Sequence, residues 1–236
     1  MAPSGSDTRR PRRLLGLDGA QRQQERRRLL LEAAVELFGT RGYGQTSIEL
    51  LCQTAGVGTN SFYEIFTSKE DAFVALYDGL TGTLRDAVTA AYLDHRGDED
   101  PIRPLVSAFV HGAVDDPRVA QVAFIESAGV SPTVEEHRRR TRNEFVDGLR
   151  AIGTDLREAA SGAGERQIVG RPGPRPRRNA VAVVGAIIEM TVDWLNDDQP
   201  DAVESLIDDI SFHCHRVIDA IIDSTAERTA ITADAP

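Results

Sequence analysis

Residues 46–66 read TSIELLCQTAGVGTNSFYEIF, and this stretch decides the fold. Thr46-Ser47-Ile48-Glu49 has the pattern of a capping box, with a hydroxyl followed three residues later by a carboxylate, and predicts a helix from Thr46 to about Gln53. Ala55-Gly56-Val57 then makes a tight turn, and Thr59 to Phe66 forms a second short helix carrying Phe62, Tyr63, Ile65 and Phe66. Where two helices nearly touch, residue 55 must be small. Gly56 permits a left-handed backbone, and Ile48, Leu51, Val57 and Phe62 supply a shared core. Two short helices joined in this way form a helix-turn-helix, whose second member is shaped to enter the major groove of a duplex. A helical bend with no DNA to read would use the same packing chemistry, so the motif alone leaves both readings open.

Upstream, Leu29, Leu30, Ala33, Ala34, Leu37 and Phe38 recur at steps of three and four between Gln21 and Thr40, with arginines opposite; Gly42 and Gly44 end this first amphipathic helix. Downstream, Ser68-Lys69-Glu70-Asp71 caps a long helix that reaches about Leu93. Further helical patterns cover 101–114, 117–128, 133–160, 178–196 and 201–224, separated by breaks such as Gly97-Asp98 and Gln199-Pro200. No hairpin signal interrupts them. The expected fold is all-α: a disordered arginine-rich arm at 1–20, a three-helix DNA-binding domain at 21–68, a larger helical ligand-binding and dimerisation domain at 69–225, and a disordered tail at 226–236. Residues 161–178, rich in Gly, Pro and Arg, are expected to form a long loop.

Composition sets the outer limits. The chain has 236 residues, 41% hydrophobic and 27% charged, as in ordinary globular proteins, and even its apolar run around Val181 to Ile188, with Gly185 allowed, is far too short to span a bilayer. Arginines near the start are not followed by the apolar segment of a secretory signal, so a cytoplasmic location is expected. Net charge is −10, which suits a polyanion badly until it is divided: residues 1–70 hold ten Lys/Arg against eight Asp/Glu, whereas 71–236 hold 17 against 29. A mildly basic head on an acidic body directs a polyanion to the head. Cys52 and Cys214 are the only cysteines and belong to no closely spaced ligand set. In His213-Cys214-His215, residues two apart on a helix point to different faces, so no metal site is expected. No cofactor motif or catalytic constellation stands out either.

From Arg28 to Leu80 the chain resembles the DNA-binding domain of the TetR family. The matching stretches are AVELFGTRGYGQTSI at 34–48, AGVGTNSFYEIF at 55–66 and SKEDAF at 68–73. The resemblance implies a transcriptional regulator, most often a repressor, that binds a near-palindromic operator as a homodimer and is released by a small-molecule effector. It places Tyr63 against the phosphate backbone and, with Ser61, in the DNA-facing set. Thr46 and Lys69, at helix N-termini, suit a phosphate, and Gln45, Thr59, Asn60 and Glu64 are the polar side chains to aim at base edges. Three positions depart from the family pattern: Gly58 lacks the usual cap hydroxyl, Asn60 is larger than usual, and Ile65 replaces a customary His or Tyr, so an operator cannot be carried over from relatives.

Family likeness further implies that the last two long helices pair across a two-fold axis. Val181, Val184, Ile187, Ile188 and Trp194, with Val203, Leu206, Ile207, Ile210, Val217, Ile218, Ile221 and Ile222, supply the apolar surface for it. Phe109, Phe124, Phe145, Met190 and Trp194 are the expected walls of an effector pocket, with Glu126 or His111 as a polar anchor. Three rivals stay open at this stage: a redox sensor acting through Cys52 or Cys214, a helical enzyme or carrier with a vestigial helix-turn-helix, and an architectural DNA-binding protein without an effector.

Overall fold

A computed structural model describes residues 18–161, 174–197 and 202–216. Expectations placed on the arginine arm, on most of the 161–178 segment, on Val217, Ile218, Ile221 and Ile222, and on the polar tail lie outside the described residues, apart from the helical turns at the segment's two ends. Among the described residues every regular element is helical: α1 Gly19–Arg41, α2 Ile48–Ala55, α3 Thr59–Tyr63, α4 Lys69–His95, α5 Ile102–Val114, α6 Pro117–Ala120, α7 Pro132–Ser161, α8 Pro174–Asn196 and α9 203–216. None of them is long and apolar enough to cross a membrane.

Each helix end has a local cause. Asp18 and Gln21 form a reciprocal capping box that starts α1 at Gly19, two residues before the expected start at Gln21. Ser47, not Thr46, caps α2 by accepting the Leu50 amide at 3.2 Å, because Thr46 is turned inward and its hydroxyl donates to the Gly42 carbonyl at 2.9 Å. Gly56 ends α2 at φ 64°, ψ 29°, the left-handed geometry read from the turn. The recognition segment is shorter than its pattern suggested: α3 stops at Tyr63, and Glu64 to Phe66 turn away so that Phe66 reaches the core. Helix α8 starts at Pro174 rather than at 178, since a first-turn proline lacks only an amide that would have had no partner anyway.

Two apolar clusters share α4. The first joins Leu30, Ala33, Ala34, Leu37 and Phe38 of α1 to Leu51 and Cys52 of α2, Phe62 of α3, and Ala72, Phe73, Leu76 and Tyr77 of α4. Leu84, farther along α4, belongs to the second, with Ile102, Val106, Phe109 and Val110 of α5, Val183 of α8, and Leu206, Ile207 and Ile210 of α9. Close approaches tie the layers together. A Cβ on Gly39 would lie 2.6 Å from the Arg118 Cβ, so α6 crosses α1 where only hydrogen leaves room. After α6 the chain widens into a π-helical turn, Gln121–Glu126, in place of the single 117–128 helix expected. The extra residue lets Val122 enter the first cluster while Ala120 and Phe124 join the second, an arrangement set by neighbours on both sides.

Because the Phe62 side chain is fully buried under α3, Phe62→Ala should cost about 3–5 kcal/mol, read by denaturant unfolding followed by circular dichroism.

Candidate nucleic-acid interface

The exposed side of the helix-turn-helix is polar. A helix of five residues cannot persist alone, so α3 depends on Phe62 beneath it, whose ring meets Phe66 at 5.7 Å and Tyr63 edge-on at 5.5 Å. With Phe62 turned in, Thr59 and Asn60 face solvent, Ser61 is half-buried, and Tyr63 remains 55% exposed. Gln45, in the loop before α2, is exposed as well. Gly58 sits at the α3 N-cap without a side-chain cap, as its sequence implied.

Glu64 is exposed but engaged. Its carboxylate pairs with Arg26 of α1 at 3.2 Å, and its carbonyl accepts from the Gln23 side chain at 3.5 Å, so α1 braces the end of α3. An ion pair this exposed adds little stability. It does draw an acid on the candidate DNA face toward a cation.

Thr46 and Lys69 act inside the fold. Thr46 is 1% exposed, which removes its hydroxyl from any outside ligand. The Lys69 ammonium donates to the carbonyls of Tyr43, at 2.8 Å, and Thr46, at 2.9 Å, and lies 4.0 Å from the Tyr43 ring centroid. Burial pulls its pKa below the usual lysine value. The cation thus satisfies two carbonyls at the corner between α1 and α2 and stacks on an aromatic face, an arrangement that also positions the α4 N-terminus.

On the other side of that corner lies Glu126, which does not join the aromatic residues of the body. Its Oε2 accepts the Tyr43 amide at 2.8 Å, and its Oε1 accepts from Gln121 at 3.2 Å. Sequence reasoning missed this contact because 83 positions separate the partners and no local pattern connects them. Gly42, read only as a helix stop, was the available signal: at φ 83° it takes a conformation that side chains resist, and a Cβ there would stand 2.9 Å from the Glu126 carboxylate.

Phe109, Phe124, Phe145, Met190 and Trp194 do come together in the second cluster, with Phe109 stacked on Phe124 at 5.9 Å and edge-on to Phe145 at 6.0 Å. His111 instead pairs with Asp115 at the surface. Of the 213–215 triplet, His213 is exposed beside Phe212, Cys214 is buried, and His215 bonds Asp100 at 2.9 Å, so the three diverge. Burial raises the Cys52 thiol and pushes Cys214 up to about 11, which disfavours the thiolate that a redox sensor uses.

A three-helix head that presents a short polar helix after a glycine turn, joined to a helical body, has the architecture of a helix-turn-helix protein. Residues 30–76 match the family described as bacterial regulatory proteins, tetR family. The chain is similar to the HTH-type transcriptional regulator BetI of Rhizobium meliloti, with 27% identity over 179 residues, 72% of this chain and 88% of that one. It is likewise similar to the HTH-type transcriptional activator FasR of Mycolicibacterium smegmatis, with 25% identity over 186 residues, 79% and 80% of the two chains. In fold it matches the regulator FadR of Bacillus subtilis in complex with stearoyl-CoA, at a TM-score of 0.62 and 18% identity, covering 78% of this chain and 95% of that one. Residues 30–76 thus carry a tetR-family DNA-binding domain, and the chain is similar to transcriptional regulators over most of its length.

Gly42→Ala should cost about 1–3 kcal/mol through its positive φ and its collision with Glu126, visible as a lowered thermal midpoint.

Proposed function

We propose that this regulator is a repressor: a homodimer that holds α3 in the major groove of a near-palindromic operator and is released when an apolar small molecule enters its body. The observation that supports it most is the two-sidedness of α3, with Phe62 sealed into the core while Thr59, Asn60 and Tyr63 stand in solvent. Asn60 suits bidentate recognition of adenine, and the Tyr63 hydroxyl suits a phosphate. Gln45, Thr59 and Ser61 complete the proposed contact set. Thr46 and Lys69 contribute by holding the loop that carries Gln45, and Glu64 by its link to α1.

For the dimer, most of the apolar residues of α8 and α9 are spent inside the protomer, Val184, Leu206, Ile207 and Ile210 being buried. Val181 on α8, 42% exposed, and Phe212 on α9, 61% exposed, are left facing outward and support pairing through this side. A two-fold pair would set the α3 helices roughly 34–36 Å apart, one turn of DNA. In the body, the rings of Phe109, Phe124 and Phe145 favour an apolar effector. The stearoyl-CoA bound by the Bacillus subtilis relative makes long-chain acyl thioesters a sensible first probe. The activator among the relatives marks the opposite sign of regulation as the competing outcome.

The test begins by selecting duplexes from a random pool with the full chain, followed by footprinting and in vitro transcription from a promoter carrying the selected site. Protection of two half-sites with loss of transcript supports repression. Increased transcript would replace it with activation, and no enrichment of any duplex would remove the DNA-binding assignment of α3. Asn60→Ala should cost about 1–3 kcal/mol on the selected duplex and relax one base position, whereas Tyr63→Phe should weaken all duplexes alike, both by fluorescence anisotropy at fixed salt. Phe212→Glu should convert the dimer to monomer in sedimentation velocity without unfolding it.

A further inference from the structure

The π-helical turn between α6 and α7 reaches three places within six residues. Val122 is buried in the cluster of the head. Phe124 stacks on Phe109 in the body. Two residues later Glu126 accepts the Tyr43 amide at 2.8 Å, and the Tyr43 carbonyl in turn accepts from Lys69 at 2.8 Å. Lys69 also bonds the Thr46 carbonyl at 2.9 Å, directly before the α2 cap. A continuous set of contacts therefore runs from the aromatic cluster, through one carboxylate, to the residue that spaces α2 from the start of α4.

We propose that Glu126 is a positioning residue for the DNA-binding head, transmitting the packing of Phe124 to the α1–α2 corner and hence to the placement of α3. The inference rests on the reading of α3 as the recognition helix and names the regulatory contact for that site. Its physical basis is the π turn itself. Such a turn holds one residue more than an α-helical turn, and taking up or releasing that residue rotates the downstream segment by about 100°. Reversion of the turn to α-helix would give a carboxylate carried on it a second, discrete placement, as transmission between sites requires. When Glu126 leaves, the half-buried Tyr43 amide loses its acceptor and the corner can relax, because Gly42 has no side chain to hold it.

The experiment compares wild type, Glu126→Ala, Glu126→Gln and Phe124→Leu as full chains. It measures exchange of the Tyr43 amide with deuterium and affinity for a duplex selected by the wild-type protein. In Glu126→Ala, Tyr43 should exchange roughly tenfold faster and affinity should fall about tenfold. Glu126→Gln, which keeps an acceptor oxygen, should stay within about threefold of wild type on both measures. Phe124→Leu keeps Glu126 in the chain but alters the packing that places it, and should speed Tyr43 exchange while amides in α3 over Phe62 keep their protection. Wild-type affinity in Glu126→Ala, or wild-type Tyr43 exchange in Phe124→Leu, would overturn the proposal. If wild type selects no duplex, the recognition reading fails instead, and the exchange measurements still decide whether Phe124 and Tyr43 are linked. Should Glu126→Ala not fold, the glutamine and leucine variants carry the same test.

Discussion

The backbone at Tyr43 is held from opposite sides where the head meets the body. Three turns meet at this corner: the end of α1, the start of α2 and the start of α4. Backbone groups leaving a helix must find partners, and here none can come from a continuing helix. Glu126 takes the amide and Lys69 the carbonyl, with the Tyr43 ring packed on Phe38 and Phe73 and covered by the Lys69 ammonium. An acid from the body and the only lysine of the chain thus meet on one residue. Either charge alone, half-buried, would carry a desolvation cost; bonded to the backbone, each is compensated.

Sharing α4 between two cores gives the molecule its mechanical character. Phe73 and Leu76 are committed to the head, and Leu84 to the body, on a single helix. Cores packed at crystal-like density do not deform smoothly, so a shift of the body reaches the head through shared elements: along α4, through α6 and the π turn, and through Val134 of α7. Arg118 pairs with Glu36 where α6 crosses Gly39, beside the Glu126 contact. An exposed ion pair there adds registration more than stability.

At the candidate DNA face, the chemistry derives from a short helix anchored in the core by Phe62 and braced at its end by α1. Five residues supply little helical stability of their own, and Phe62 supplies the burial that holds them. The remaining positions are then free to be chosen for what they touch outside. The acidic body contributes by contrast, leaving the mildly basic head as the favourable side for a polyanion.

Much of this was legible in order along the chain. The apolar steps of α1, the Gly56 turn and the Ser68 cap all stem from periodicity and local backbone chemistry, because those causes act between residues a few positions apart. What the tertiary structure alone decided were the contacts between distant segments. It moved the α2 cap to Ser47 by drawing Thr46 inward, turned Lys69 back onto Tyr43, widened 121–126 so that Val122 and Phe124 serve different cores, and took Glu126 out of the body to the head. Each of these is a polar group or a helix register choosing among partners tens of residues away. A helical period says which face a residue occupies; only the packed neighbours say what that face meets.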